Sequence, residues 1–326
     1  MKSFSQNIKE RFDWDVTALD PFTDEQSQEY IEDLIASSLF LSRIAVQEGN
    51  KGSEEIKLLA SNVTLQAATS CGWTPSGGVV LTGETLTTVR MKVQEDYCNE
   101  DLNSTWGQLL NAAGANNQDK TMPLEAVMQA YYMKKTQARI QDIAINGDTA
   151  SVDPNLVFFD GFRKNLTADG TVVIAAYTQS PTITSANAYD VLRLVERTIH
   201  RDVKNNNVAH EIVCDYQVAK DCLEQVWNDK DFSAEVDFKD EDGEISFMLP
   251  GTRTMVRSYP QLDDTGEVYV WVYPYMFYGT DTAGDANGYE AKYNDTDEKM
   301  RFGVKFRGGV QHVLGKYFVR LVMGAS

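Results

Sequence analysis

Two runs of alternating apolar and polar side chains face each other across a turn in residues 61–95. Val63, Leu65 and Ala67 mark the first run, and Val79, Leu81, Leu86, Val89, Met91 and Val93 the second, with Thr, Gln, Arg and Lys between them. A period of two is the pattern of β-strands. The stretch between the runs, Cys71-Gly-Trp-Thr-Pro-Ser-Gly-Gly78, is dense in turn formers. The pattern predicts a long two-stranded hairpin with a wide tip. A two-stranded ribbon is marginal alone in water, so its length implies that it packs on something outside its own chain.

The rest of the chain adds other elements that look for partners. Phe4, Ile8, Phe12, Trp14, Val16 and Leu19 are scattered among charges ahead of Pro21, as expected of an arm with too few apolar groups to bury within itself. Acids then fill a first helical turn from Thr23, and Tyr30, Leu34, Leu41 and Ala45 predict an amphipathic helix to about Gln47, ended by Gly49 to Gly52. Residues 121–147 read as the longest helix, with Pro123 near its start and Asn146-Gly147 as left-handed cap residues. Residues 184–228 read as helix, strand, helix, with Ser185 as the first N-cap. Strands follow at 245–249, 254–258 and the aromatic run 268–278, in which Pro274 marks an edge or bulge. A polar loop over 279–299 leads to closing strands at 300–306 and 317–322.

Charge is distributed unevenly. The net charge is −18 over 326 residues, and residues 10–33 and 229–244 carry −14 of it. Residues 299–326 hold six basic side chains and no acid. An acidic chain of this kind does not adhere to nucleic acid non-specifically. Cys71, Cys98, Cys214 and Cys222 form no CxxC pair and match no zinc or haem spacing, and read as reduced thiols in a cytosolic setting. The N-terminal residues have no apolar signal-peptide core, and the apolar stretch 34–46 is too short and too interrupted to span a bilayer. No catalytic, metal or cofactor motif is found. The three histidines sit in no HExxH, and GxSxG, GxxxxGK[ST] and GxGxxG are absent. Asp240, Asp242 and Glu244 alternate, but Gly243 is misplaced for a calcium loop and the closing Glu is missing.

An extended arm, an unpartnered hairpin, one long helix, an αβα unit and a return through strands, in that order, resemble the tailed-phage major capsid protein with the Hong Kong 97-type fold. The resemblance implies an α+β fold with these parts: an N-terminal arm (1–55), an extended loop (56–100), a peripheral domain with a spine helix (101–170), an axial domain (171–299) and closing strands of the peripheral domain (300–326). The helix ending Ala-Ile-Asn-Gly-Asp148 is similar to the spine helix, and Phe159-Asp-Gly-Phe162 to the turn that follows it. On this reading the chain is a non-enzymatic subunit that self-assembles into hexamers and pentamers of an icosahedral shell. That shell encloses double-stranded DNA without sequence-specific binding, and the subunit needs no cofactor, metal or membrane. Portal, scaffold or decoration proteins are the expected partners, scaffold being a separate protein, and the particle is a virion assembled in the host bacterial cytoplasm. The expected contact residues are Cys71, Trp73, Pro75, Gly77, Gly78, Val79 and Leu81 at the loop tip, and Phe4, Ile8, Phe12 and Trp14 in the arm. Arg301, Lys305 and Arg307 would supply charge complementarity towards the acidic segments. Some members of the family weld subunits through a lysine on the extended loop; no lysine stands at this tip, so cross-linking is not expected. Two alternatives remain open: an encapsulin-like compartment holding protein cargo, and a soluble carbohydrate-active or sugar-binding protein using an acid pair and the aromatic run 268–278.

Overall fold

The computed structural model describes residues 40–61, 79–98, 124–228, 238–241, 244–262, 265–281, 290–294 and 299–324. The chain divides into two compact units. One contains, among the described residues, 90–98, 124–137, 281, 290–294 and 299–307; the other contains the remainder.

In the first unit, strand β4 (Val89–Cys98) and strand β12 (Glu290–Asn294) both pair with β13 (Lys299–His312). The polar composition of 279–299 predicts a loop throughout. The β12 register against β13, Glu290 opposite Gly303 and Asn294 opposite Lys299, shows why part of it is strand: the closing strand offers a ladder. The unit also holds most of the long helix α1 (Leu124–Asn146), whose 23 residues span about 35 Å. Tyr132 and Thr136 are buried on it.

The second unit is built on a seven-stranded mixed sheet. Its strands are β5 (Val173–Tyr177), β6 (His210–Cys214), β7 (Phe238–Glu241), β8 (Glu244–Met248), β9 (Met255–Ser258), β10 (Val268–Val272) and β14 (Val319–Met323), in the order β5-β14-β10-β6-β9-β8-β7. Helix α3 (Ala188–Thr198) covers β5, β14 and β10, helix α5 (Tyr216–Asn228) covers β8 and β9, and the two helices pack together. Every residue of β10 is buried. Trp271 on it stacks on Tyr259 at 5.5 Å and meets Phe40 at 5.0 Å, which closes the core over Phe162.

Several sequence expectations change here. Residues 41–47 are not helix: a 3₁₀ turn (Leu41–Arg43) leads into β1 (Ala45–Gln47), which pairs in parallel with β11 (Met276–Gly279). A tertiary ladder outweighs the local helical period. The first helix expected within 184–228 is broken at Ile199 and His200, both extended, because Ile199 turns into the core and His200 Nδ1 accepts the Asp202 amide to cap α4 (Arg201–Asn205). Asn187, not Ser185, is the first cap residue. The aromatic run is two strands: Pro274 sits in a 3₁₀ turn (Tyr273–Tyr275), and β10 and β11 on either side join different sheets.

The expected left-handed cap at the end of α1 is also absent, since neither Asn146 nor Gly147 has positive φ. Gly147 is required for closeness instead. A Cβ there would lie 2.4 Å from the Phe159 carbonyl oxygen, and one on Gly161 2.5 Å from that of Ile145. The two glycine backbones touch, Gly161 N–H donating to Gly147 O at 2.8 Å, and so fasten the Phe159–Phe162 turn and helix α2 (Phe162–Ala168) to the helix end. Lys164 reinforces the crossing by donating to Asp148 at 2.6 Å and to Asp160 at 2.8 Å.

Candidate assembly interface

The hairpin is where sequence logic places the function. Strands β2 (Ser53–Ser61) and β3 (Val79–Thr87) pair antiparallel over nine residues, from Ser53 opposite Thr87 to Ser61 opposite Val79. The first arm thus begins at Ser53, earlier than the alternation over 61–67 suggests, because Glu54, Ile56 and Lys57 are arranged by the partner strand rather than by a clean hydropathy period. Among the described residues the two strands form a ladder only with each other.

Its root is built to be rigid. Ile56 and Leu86 are buried and pack with Val313, with Phe277 and Leu314 against them. Beyond that pair, Glu54, Glu55, Lys57 and residues 83–85 are exposed. Leu86 sits where a Cβ on Gly279 would be, 2.7 Å from its Cδ2, and the Thr87 carbonyl oxygen lies 2.1 Å from a Cβ built on Gly309. On β13 only glycine lets the hairpin backbone approach this closely, whereas a side chain at Gly279 on β11 would have to displace the Leu86 and Thr88 side chains.

A buried polar clasp completes the root. Asn50 N–H donates to Thr280 O at 3.1 Å, Thr280 N–H to Gln47 O at 3.0 Å, and Thr88 N–H to Gly52 O at 2.8 Å. The Thr88 hydroxyl donates to Asn50 O at 3.0 Å. Buried polar groups of this kind are tolerated because each is paired. The clasp pins the direction in which the ribbon leaves the unit.

A second fastening lies just before it in sequence. The Glu211 carboxylate accepts from Arg43 Nη1 at 2.9 Å, Arg257 Nε at 3.0 Å and the Tyr273 hydroxyl at 2.7 Å. Burial works against the Arg43 charge, but Tyr259, Glu211 and Tyr273 around it hold its pKa above the ordinary value. The turn Leu41–Arg43 is therefore anchored to β6 by a charge network.

Of the residues expected at interfaces, Phe4, Ile8, Phe12, Trp14, Cys71, Trp73, Pro75, Gly77 and Gly78 lie outside the described residues. Val79 and Leu81 are on the backbone of β3, paired with Ser61 and Leu59. Arg301 and Lys305 are exposed on β13. Arg301 Nε lies 3.6 Å from Asp96, and Arg307 Nε 3.8 Å from the buried Asp281, so both arginines already meet acids of their own chain. The clasp has no signature in the sequence, since Asn50, Thr88 and Thr280 are ordinary turn and strand residues until the fold brings them together.

In the aromatic run Tyr269, Trp271, Tyr273 and Tyr278 are buried, whereas the half-buried Tyr275 stacks on Tyr317 at 5.3 Å. A cleft of about 690 Å³ lies beside β14 and the start of α5, and its three carboxylates are all engaged. Asp215 accepts the Gln217 and Gly266 amides, Asp221 the Gln217 side chain, and Glu267 the Arg163 guanidinium and the Tyr269 hydroxyl. Among the described residues no cluster of His, Cys, Asp and Glu is placed to hold a metal ion, and no helix is long and apolar enough to cross a membrane.

No protein-family model and no curated protein sequence matches the chain. Solved structures do. The satellite phage P4 procapsid, described together with its size determination (Sid) protein, aligns over 92% of this chain and 100% of its own at 10% identity, with a TM-score of 0.60. The capsid of the empty GTA particle aligns over 89% and 90% at 13% identity, with a TM-score of 0.58. That of the native GTA particle aligns over 88% and 90% at 13% identity, with a TM-score of 0.54. At such identities the likeness is one of fold, extending over nearly the whole of each chain: this protein has the tailed-phage major capsid fold.

Proposed function

We propose that the chain is the structural subunit of a closed capsid, assembling as hexamers and pentamers into an icosahedral shell around double-stranded phage DNA. The observation that carries this reading is the ribbon β2–β3: rigid at its root, self-paired along its length, and set in a capsid fold. A ribbon so held has a fixed direction and no partner ladder among the described residues, which suits it to lie across a neighbouring copy. The loop-tip residues Cys71 to Leu81 would make that contact, and Phe4, Ile8, Phe12 and Trp14 would bury the arm under another copy. Arg301, Lys305 and Arg307 would set register through charge more than affinity. The net charge of −18 would keep packaged DNA from adhering to the wall. Portal, scaffold or decoration proteins would complete the particle.

The test is sedimentation velocity with negative-stain imaging of the expressed full-length chain. Capsomers, tubes, sheets or closed shells support the proposal, and nuclease-protected DNA in particles from infected cells supports the cargo. A chain that stays monomeric at high concentration, with or without a scaffold partner, overturns it.

A further inference from the structure

The closing strands turn a corner between the two larger sheets. β13 ends in the five-stranded sheet, where His312 lies opposite Met276, and β14 belongs to the seven-stranded one. Between them Leu314 has φ 61° and ψ 61°, in the left-handed region. A leucine is strained there as glycine would not be, so the surrounding structure has to hold it. Leu314 also has a second contact to keep. With Phe277 it packs on Ile56, Leu86 and Val313, the cluster at the root of the ribbon β2–β3.

The group that can hold this turn stands beside it. His312 is 5% exposed, and its Nε2–H donates to Asp169 Oδ2 at 2.9 Å. Its Nδ1 is buried and has no hydrogen-bond partner among the described residues, while the ring meets Phe318 edge-on at 5.3 Å. An apolar side chain would fill the same space without leaving a nitrogen unpaired, so what His312 adds is the bond to Asp169. Asp169, at the C-cap of α2, is itself fixed by the Thr171 amide at 2.8 Å and the Thr171 hydroxyl at 2.9 Å. Gly315 closes on the same carboxylate: a Cβ there would lie 2.0 Å from Asp169 Oδ2. Residues on both sides of Leu314 are therefore seated on the turn that joins α2 to β5.

Resting on the reading of the ribbon as the part that crosses to a neighbouring copy, we propose that His312 and Asp169 form a latch that positions it. The latch holds Leu314 in its left-handed turn against the Ile56–Leu86 cluster, and so sets the ribbon root from the corner between the two sheets. Release of the latch lets Leu314 relax to negative φ and withdraws its side chain from the root. The ribbon then loosens while the seven-stranded sheet stays folded.

Amide hydrogen exchange of the unassembled full-length chain reads the root directly, at residues 53–57 and 84–87, with β6 and β10 as internal reference. His312→Ala removes the donor, and Gly315→Ala displaces the acceptor without touching either partner. Each should speed exchange at the root by about tenfold and leave the reference within about twofold. Gly315→Ala carries the test if His312→Ala does not fold. Asp169→Asn keeps an acceptor for Nε2–H and should stay within about threefold of wild type at the root. Leu314→Gly removes both the strain and the contact, so adding His312→Ala to it should speed the root no further. Unchanged root exchange in both latch variants overturns the proposal. So does equal acceleration at root and reference, which is what a general loss of stability gives, and so do effects of His312→Ala and Leu314→Gly that multiply. Sedimentation velocity of the same chains keeps the two readings apart. Wild-type particles with unchanged root exchange in the variants overturn the latch alone; a wild-type chain that never assembles, with latch variants that still loosen the root, supports the latch and overturns the shell reading.

Discussion

Substituting Gly309 by alanine tests whether the hairpin root is as closely packed as its geometry implies. A Cβ at this position lies 2.1 Å from the Thr87 carbonyl oxygen and 3.1 Å from Thr88 Cα. Real Cβ contacts essentially never fall below 3.0 Å, so β13 and the end of β3 must separate by about 0.9 Å. The obstacle is backbone, which has no rotamer to move away. Separation strains the Gly279–Gly309 register and the bond from Thr88 N–H to Gly52 O, itself 2.8 Å. Overpacking of this kind costs about 1–3 kcal/mol, and a weakened buried hydrogen bond adds about 1 kcal/mol. Gly170→Ala is the matched control, because a Cβ there meets nothing within 4 Å and the residue is not in the left-handed region. Urea denaturation of the unassembled chain, followed by tryptophan fluorescence, measures both; the buried Trp271 contributes to the signal. The expected outcome is a loss of about 2–4 kcal/mol for Gly309→Ala and a change within about 0.5 kcal/mol for Gly170→Ala. Equal midpoints for the two variants would refute the close approach of hairpin and sheet.

Three other outcomes are expected. Glu211→Ala removes the acceptor shared by Arg43, Arg257 and Tyr273 and should cost about 3 kcal/mol; Glu211→Gln, which keeps an acceptor, should cost less by the same denaturation assay. Burial opposes ionisation of Asp169, but the Thr171 amide, His312 and the Thr171 hydroxyl outweigh it and hold its pKa below the ordinary value. A depressed carboxylate contributes stability that is present above its unfolded pKa and is lost as pH falls through the folded one. Stability should therefore decline below about pH 4, and Asp169→Asn should flatten that decline in acid titrations followed by circular dichroism. Cys214 and Cys222 are buried thiols, their pKa values pushed up by burial, to about 12 for Cys222. Mass-spectrometric mapping with a thiol reagent should find both unreacted in the native chain and labelled in urea; rapid native labelling would contradict their packing.

Elements with strong local signals are legible in the amino-acid sequence alone. The helix expected over 121–147 is α1, because its stripes and its Pro123 start are properties of neighbouring residues. The strand-rich second half is likewise visible as runs of β-branched and aromatic residues, and the second arm of the ribbon as a period of two from Val79. Boundaries that depend on distant partners are not. Residues 45–47 have helical spacing, yet Ala45 lies opposite Phe277 in a parallel ladder, and no local pattern announces a partner more than 200 residues away. Gly147 suits a left-handed cap because glycine is permissive, whereas its actual use is contact with the Phe159 carbonyl. Sequence determined the period, the polarity and the uneven charge of this protein, all of which are written in adjacent residues. Tertiary structure decided the rest. It put Pro274 between two different sheets, joined Asn50, Thr88 and Thr280 into one clasp, and set Arg193 and Arg197 beside β5. Packing and hydrogen bonding act between residues that are close in space, and along this chain those are seldom close in sequence.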